Sequence, residues 1–176
     1  MTSDKSDAAA KSQDFVISRV VDAPRDLVWK CFTEAEHMKV WSGPKEFRTV
    51  KATMDLRPGG TYHYGMKALK GSATMWGKAA YREIVAPERL VYLNSFSDET
   101  GGTTRHPRHS GWPLELLTII TFEEVPGGKT KVTIRWAPYN ASADEQKTFD
   151  TNHDSMRQGW GGSLDRLAEH LAAIQS

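Results

Sequence analysis

A chain of 176 residues with a net charge of +1 is long enough to bury one hydrophobic core, and its interspersed charges leave no basic face for nucleic acid. No run of residues approaches the roughly 18 apolar positions that a membrane span needs. Because Cys31 is the only cysteine, an intrachain disulfide is excluded and a cytoplasmic location is expected. We predict that Cys31 is a buried small hydrophobe rather than a nucleophile.

The N-terminal part predicts a leader, a strand and two short helices. Residues 1–13 lack the apolar segment of a signal peptide and are predicted to be a disordered leader, followed by a single domain over residues 14–176. The segment Asp14–Val21 is rich in β-branched residues and predicts the first strand. Pro24 opens a predicted helix, and a second short helix is expected to end near Trp41.

From residue 47 the apolar periodicity changes from that of a helix to that of a strand. Short connections rich in glycine and proline separate the apolar segments, which favours an antiparallel meander over parallel units with crossover helices. The predicted strands are Phe47–Asp55, Thr61–Met66, Thr74–Ile84, Leu90–Phe96, Leu114–Glu123 and Lys129–Trp136.

The C-terminal segment Ser142–Ile174 predicts one long amphipathic helix of roughly 45 Å. Ser142 and Glu145 have the spacing of a capping box at its start. The apolar stripe of this helix consists of Phe149, His153, Met156, Trp160, Leu164, Leu167, Leu171 and Ile174.

Three glycines lie inside this predicted helix, at Gly159, Gly161 and Gly162. Each costs about 1 kcal/mol relative to alanine in a helix interior. They indicate either a kink or close packing on another backbone, or else a widened space beside the helix where a ligand could bind. Both interpretations stay open at this point.

The strand alternation indicates one apolar and one mostly polar face of the sheet. Such a sheet needs a single cover, and the C-terminal helix is the only element long enough to provide it. The predicted fold class is α+β, with a curved antiparallel sheet of about seven strands wrapped around a long C-terminal helix and two short helices after the first strand. An incompletely filled space between sheet and helix is expected, because curved sheets readily leave cavities beside a helix.

Short sequence fragments carry a resemblance to a known family. They are Asp22-Ala-Pro with Val28-Trp29, Trp41-Ser-Gly-Pro, Asp55-Leu-Arg-Pro-Gly-Gly, Gly77 with Glu83-Ile84, Pro87-Glu88-Arg89-Leu90, Thr121-Phe122-Glu123, Arg135-Trp136-Ala137-Pro138 and Ser155-Met156-Arg157-Gln158-Gly159-Trp160. In order and spacing they resemble the helix-grip fold of the START and Bet v 1-like (SRPBCC) superfamily. The branch resembled is that of the C-terminal domain of the activator of the heat-shock protein 90 ATPase, over about Phe15–Ala172.

The resemblance implies three kinds of function. Members of the superfamily bind sterols, lipids, plant hormones or polyketides in the cavity, and some are cyclases or dehydratases. The named branch implies a co-chaperone role with a heat-shock 90 type ATPase. Since a fold hosts many activities, the site must be argued from its residues.

The leading candidate site is the space between the C-terminal helix and the sheet, where aromatic walls with a few polar tips suit a flat or flexible apolar ligand. The same side chains could instead fill a dry core. For Trp76 the alternation is ambiguous, because either Trp76 or the set Met75, Ala79 and Tyr81 faces inward. The predicted ligand-binding residues are Trp41, Tyr62, Tyr64, Met66, Trp76, Trp112, Trp136, His153, Met156 and Trp160.

The connection Ser97–Pro113 is unusually long for a meander, which is typical of either a functional lid or a solvated loop. Its residues Arg105, His106, Arg108 and His109 could offer charge to an acidic group on a ligand. The two histidines also have a spacing that suits metal binding, but no cysteine or nearby carboxylate completes a ligand set. No metal site and no cofactor are therefore predicted.

Catalysis would need titratable groups within reach of one another. His153 is the only titratable residue on the helix stripe, and with Tyr62 or Tyr64 it could serve acid–base chemistry on a polyketide-like substrate. The alternative is a partly buried, hydrogen-bonded histidine. Since no nucleophile elbow, phosphate-binding glycine loop or paired-carboxylate motif is present, His153 is the one weak catalytic candidate.

The sequence thus predicts a protein, monomeric or homodimeric, that binds a small hydrophobic or amphipathic molecule between sheet and helix. The alternatives are stimulation of a heat-shock 90 type ATPase and a cyclase or dehydratase activity. Neither nucleic acid nor a membrane span is expected. The sequence leaves the ligand and the oligomeric state open.

Overall fold

The computed structural model describes residues 13–176, and the predicted leader lies outside them except for Gln13. None of the described helices combines the length and hydropathy needed to cross a membrane. The elements are β1 (Phe15–Val21), α1 (Arg25–Thr33), α2 (Ala35–Trp41), β2 (Phe47–Met54), β3 (Thr61–Ala68), β4 (Thr74–Val85), β5 (Arg89–Ser97), β6 (Thr103–Thr104), β7 (Glu115–Val125), β8 (Lys129–Tyr139), α3 (Ala143–Asp150) and α4 (His153–Gln175).

The strands form one antiparallel sheet, curved into a half-barrel, in the order β1-β8-β7-β5-β4-β3-β2. This is the predicted meander, closed by the first strand returning to pair with the last. The two-residue strand β6 was not predicted. It lies within the connection 97–113 and pairs with β5, so that part of this connection belongs to the sheet.

The two short helices pack over one end of the sheet. Pro24 caps α1, since its carbonyl accepts from the amides of Leu27 and Val28 at 3.1 Å each. Cys31 on α1 is fully buried, as predicted. Its backbone carbonyl accepts a hydrogen bond of 2.8 Å from the indole N–H of Trp41, which ties α2 to α1.

The C-terminal segment forms two helices, so the prediction of one continuous helix is wrong. The chain leaves helical geometry at Asn152, where φ is −112° and ψ is 15°. The side chains of Thr151 and Asn152 both donate to the carbonyl of Thr148, at 3.1 and 2.7 Å. They compete with the backbone amide that a continuous helix would direct there, and this amide donates to Phe149 instead.

The predicted capping box at the start of α3 is confirmed. The amide of Glu145 donates to the hydroxyl of Ser142 at 3.1 Å, and the amide of Ser142 donates to the Glu145 carboxylate at 3.0 Å. Two amides that have no partner within the helix are therefore satisfied.

Helix α4 fills the concave side of the sheet with the C-terminal half of its apolar stripe. Leu164, Leu167 and Leu171 are buried to 1% exposure or less and belong to the main core cluster with residues of α1, β7 and β8. Ile174, in the last turn of α4, is 40% exposed and lies outside that cluster. The N-terminal half of the stripe faces a less completely filled region.

Candidate functional site

A cavity of about 560 Å³ lies between α4 and the concave face of the sheet. Its walls come from α1 and α2, from strands β3, β4, β5, β7 and β8, and from α4, with the connection before β7 at one side. No Asp, Glu, Lys or Arg is found among the described residues that line it. Of the described residues that line this cavity, two histidines, His106 and His109, are the only ones of a type that can carry a positive charge.

The structure brings most of the predicted site residues together around this cavity. The predicted residues whose side chains are placed in its lining are Trp41, Tyr62, Tyr64, Met66, Trp112, Trp136, Met156 and Trp160. Two predicted residues, Trp76 and His153, are placed differently.

Trp76 borders the cavity, but its ring packs on the other face of the sheet. The register pairs Trp76 with Gly65, and its ring stacks on His63 with centroids 5.4 Å apart. Met75 and Ala79 pair with Met66 and Tyr62, so they share the concave face with those residues. Of the two alternatives that the alternation left open, the structure has Met75, Ala79 and Tyr81 facing inward.

His153 does not line the cavity. Its ring lies edge-on between Phe15 and Phe149, with centroids 5.7 and 5.2 Å away. His153 is the first residue of α4, and its side chain packs against these two buried rings rather than on Tyr62 or Tyr64. The proposed acid–base pair of His153 with Tyr62 or Tyr64 is therefore not assembled around the cavity.

Two stacked tyrosines form one wall. The rings of Tyr62 and Tyr64 lie 5.0 Å apart with 29° between their planes. Gly77 permits this arrangement, since a Cβ atom there would lie 2.4 Å from the hydroxyl oxygen of Tyr64. Burial raises the pKa of Tyr64 to about 12, and it also raises the pKa of Tyr62. Both phenols stay neutral near pH 7, so they are hydrogen-bonding groups rather than bases.

Two indole N–H groups at the other side of the cavity are buried without a partner. The rings of Trp136 and Trp160 have centroids 5.6 Å apart, and neither Nε1 atom has a hydrogen-bond acceptor among residues 13–176. Ser95, also in the lining, has a buried hydroxyl that likewise has no hydrogen-bond partner among the described residues. An indole N–H can only donate, and leaving a buried donor unpaired costs about 1–3 kcal/mol. What these tryptophans lack is an acceptor.

The solvent side of the cavity lies beside the N-terminal half of α4. Gly159 and Ser155 on α4, and His109 on the connection before β7, are lining residues that are exposed. A Cβ atom at Gly159, Gly161 or Gly162 would meet no other side chain or distant backbone within 4 Å. Close packing of these glycines on another backbone is therefore excluded, and at Gly159 the open space adjoins the cavity.

The connection 97–113 is anchored beside this opening. Arg105 forms an ion pair with Glu145 on α3, and it does not line the cavity. His106 does line it and packs on Phe96, with ring centroids 4.6 Å apart. Burial, reinforced by the nearby charges of His109 and Arg108, lowers the pKa of His106. The basic residues of this connection therefore bring little positive charge to the cavity.

Sequence reasoning missed several lining residues on β5. Tyr92, Asn94 and Phe96 pair with Tyr81, Ala79 and Gly77 and line the cavity with them. Their alternation along the strand was a usable signal, since residues two apart share a face. The residues contributed by α1 and α2, Phe32 and Met38, had no comparable signal because the packing of these helices decides what they face.

The fold and the family can now be compared with known proteins. The model of the family described as "Activator of Hsp90 ATPase homolog 1-like protein" matches residues 22–172. A solved structure from Nitrosomonas europaea has 22% identity and a TM-score of 0.72, with 95% of this chain and 97% of that chain covered. One from Arthrobacter aurescens has 20% identity and a TM-score of 0.75, with 92% and 87% covered.

An AHSA1-like protein from Aeromonas hydrophila has 19% identity and a TM-score of 0.63, with 93% and 94% of the two chains covered. At these identities the similarity establishes the fold. Among curated proteins, none matches the chain at a significant level. Because the family model spans most of the sequence, the chain belongs to the family of Activator of Hsp90 ATPase homolog 1-like proteins, within the Bet v 1-like superfamily.

Proposed function

We propose that this protein binds a neutral, largely apolar small molecule that carries a hydrogen-bond acceptor such as a carbonyl oxygen. The observation that carries the proposal is the pair of buried, unpartnered indole N–H groups of Trp136 and Trp160 in the wall of an aromatic cavity. A bound carbonyl would satisfy donors that no described residue satisfies.

The size and lining of the cavity support an apolar body for this ligand. Its volume of about 560 Å³ falls within the range of small-molecule pockets, roughly 300–1,000 Å³. Aromatic faces such as those of Tyr62 and Tyr64 suit a flat ring system. The ligand would fill a space that is bounded on several sides by apolar side chains.

The charge of the lining favours a neutral ligand. A carboxylate or ammonium group moved from water into this cavity would lose its hydration without meeting an ionised side chain of opposite sign. Arg105, one of the four residues expected to offer charge to an acidic ligand, is already paired with Glu145. A ketone, quinone or lactone therefore fits the site better than a fatty acid.

Three probes of nearly the same shape test the proposal, namely fluorenone, fluorene and fluorene-9-carboxylate. Titration calorimetry should show that the ketone binds about fivefold more tightly than the hydrocarbon, since one buried hydrogen bond contributes on the order of 1 kcal/mol. The carboxylate should bind most weakly. Mass spectrometry of the natively purified protein would then identify a co-purifying compound of the same class.

Variants of the two tryptophans test whether their indole N–H groups bind the carbonyl oxygen of the ligand. Trp160→Phe and Trp136→Phe keep an aromatic ring and remove the N–H, so each should reduce the preference for ketone over hydrocarbon while fluorene binding changes little. Trp29→Phe is the matched control, because Trp29 is a core residue that does not line the cavity. Tightest binding of the carboxylate, or an unchanged ketone preference in both variants, would contradict the proposal.

The family match supplies a second candidate, activation of an Hsp90-type ATPase. It predicts association with such a chaperone and faster ATP hydrolysis when this protein is added. No change in the hydrolysis rate at micromolar concentrations of both proteins would count against it. The cavity probes above do not depend on that outcome.

A further inference from the structure

Three side chains outside the cavity converge where α1, α2 and α4 meet. Cys31 lies on α1, His37 on α2 and His170 near the end of α4. The Sγ atom of Cys31 and one ring nitrogen of each histidine lie within 4.8 Å of one another. None of these residues lines the cavity, so the cluster is separate from the proposed ligand site.

The separations in this cluster bracket those of a zinc site. With Zn–S near 2.3 Å and Zn–N near 2.0–2.1 Å, tetrahedral geometry places neighbouring ligand atoms about 3.3–3.6 Å apart. Here the Nδ1 atom of His37 lies 2.8 Å from the Nε2 atom of His170, and no pair exceeds 4.8 Å. Bonding of all three atoms to one ion would require shifts of about 1 Å from these separations.

We infer that Cys31, His37 and His170 form a binding site for a divalent transition metal of the zinc type, with a water as the fourth ligand. Thiolate and imidazole are the ligands that Zn²⁺ prefers in proteins. Both histidines are half-buried and Cys31 is fully buried, so the ion enters from the histidine side. One bound ion would connect three helices that are otherwise held by packing and hydrogen bonds.

A carboxylate next to the cluster orients one of the ligands. The Nε2 atom of His37 lies 3.3 Å from the carboxylate of Glu34. With Nε2–H donating to Glu34, the Nδ1 atom of His37 accepts a hydrogen bond from Nε2–H of His170, and a bound ion would replace this hydrogen bond. Histidine ligands of metals commonly carry such a carboxylate partner on their second nitrogen. Glu34 is well placed for this role because it lies at the junction of α1 and α2.

Cobalt provides a direct spectroscopic test on the reduced full-length chain after dialysis against a chelator. Titration with Co²⁺ should give one equivalent bound, with a thiolate-to-cobalt charge-transfer band and the visible bands of a tetrahedral site. Zn²⁺ should then displace the cobalt and raise Tm. Since Cys31 is the only cysteine, the charge-transfer band has a single possible source.

Variants separate a metal site from a structural histidine pair. Cys31→Ala should abolish the charge-transfer band, and His37→Gln and His170→Gln should each weaken Co²⁺ binding at least 100-fold. Glu34→Gln should weaken it about 10- to 100-fold, as is usual for an orienting partner. His63→Gln is the control, since His63 lies on the outer face of the sheet against Trp76 and should leave binding unchanged.

Circular dichroism establishes that each variant is folded. If Cys31→Ala does not fold, the decision rests on the two histidine variants, which change half-buried side chains. Wild-type protein without a charge-transfer band would overturn the inference. So would a band whose cobalt affinity is the same in His37→Gln and His170→Gln as in the wild type.

Discussion

The indole rings of Trp136 and Trp160 meet edge to face, with centroids 5.6 Å apart and 74° between their planes. One ring belongs to the last strand of the sheet and the other to the helix that the sheet surrounds. Their N–H groups are therefore positioned by two rigid elements that are packed together through the main core cluster. For the proposed ligand, this arrangement would determine the position of the hydrogen-bond acceptor.

Substitutions at Gly159 and Gly162 on α4 distinguish an effect on helix stability from an effect on the space available to a ligand. Replacing either with leucine should stabilise the folded state by up to about 1 kcal/mol, because glycine is unfavourable inside a helix and neither site is crowded. Only Gly159 lines the cavity, so only Gly159→Leu should also weaken ligand binding. Thermal unfolding and fluorenone titration measure the two effects, and equal loss of binding in both variants would contradict the placement of the opening.

Leu164 and Ile174 lie on the same predicted stripe but differ in burial. Leu164 is fully buried, and Leu164→Ala should lower the free energy of unfolding by about 2–5 kcal/mol. Ile174 is 40% exposed, and Ile174→Ala should change it by less than about 0.5 kcal/mol. Urea denaturation provides both values. Similar losses at the two positions would mean that the last turn of α4 packs more tightly than the structure shows.

Gly77 and Tyr64 should be energetically coupled. A Cβ atom at Gly77 would lie 2.4 Å from the Tyr64 hydroxyl oxygen and 2.6 Å from the adjoining ring carbon. Because the Tyr64 ring is stacked on Tyr62, it has little freedom to move aside, and Gly77→Ala should destabilise the fold by about 1–3 kcal/mol.

In a Tyr64→Ala background this cost should vanish or reverse, since alanine is otherwise preferred to glycine inside a strand by roughly 0.5–1 kcal/mol. The four proteins form a double-mutant cycle whose coupling energy reports the contact directly. A Gly77→Ala effect of the same size in both backgrounds would show that the Tyr64 ring is not what limits the space.

Glu145 should make the stability dependent on pH in the acidic range. The backbone N–H of Ser142, together with Arg105, holds the pKa of the Glu145 carboxyl below its usual value despite opposing desolvation. A depressed pKa stabilises the folded state above the unfolded pKa, about 4.3, and this contribution is lost as the pH falls through the folded value.

We therefore expect Glu145→Gln to lower Tm at pH 6 to 7 relative to the wild type, with the difference shrinking below about pH 4. Calorimetry over this pH range measures it. Arg105→Gln should lower Tm at pH 6 to 7 by less than Glu145→Gln does, because the hydrogen bond from the Ser142 amide to the Glu145 carboxylate remains. A difference in Tm that stays constant down to pH 3 would contradict the ionised state assigned to Glu145.

The predictable parts of this protein are those determined by neighbouring residues. Apart from the two-residue β6, each strand from Phe47 onward was predicted within a few residues of its observed bounds, because alternation and turn residues act over short stretches of chain. The capping box of Ser142 and Glu145 is likewise a contact between residues three apart. The family resemblance rested on such local fragments, and the family match confirms it.

Two predicted site residues, Trp76 and His153, lie where the local period changes. In β4 the register shifts between Tyr81 and Glu83, so Ile84 packs with Tyr81 although strict alternation places it on the face of Trp76. This bulge made the alternation ambiguous at Trp76, which borders the cavity while its ring packs on His63 at the outer face of the sheet. In the C-terminal segment the chain leaves helical geometry at Asn152, and His153 packs between Phe15 and Phe149 instead of lining the cavity.

By itself, the sequence determined the order of the elements, the one-sided sheet and the aromatic character of the residues beneath α4. Only the tertiary structure decided that those residues enclose a cavity with two unpartnered N–H groups, and that Cys31, His37 and His170 meet. Periodicity specifies which face of an element is apolar. The distances between side chains far apart in sequence depend on how helices and strands pack, and this packing is settled by the whole core at once.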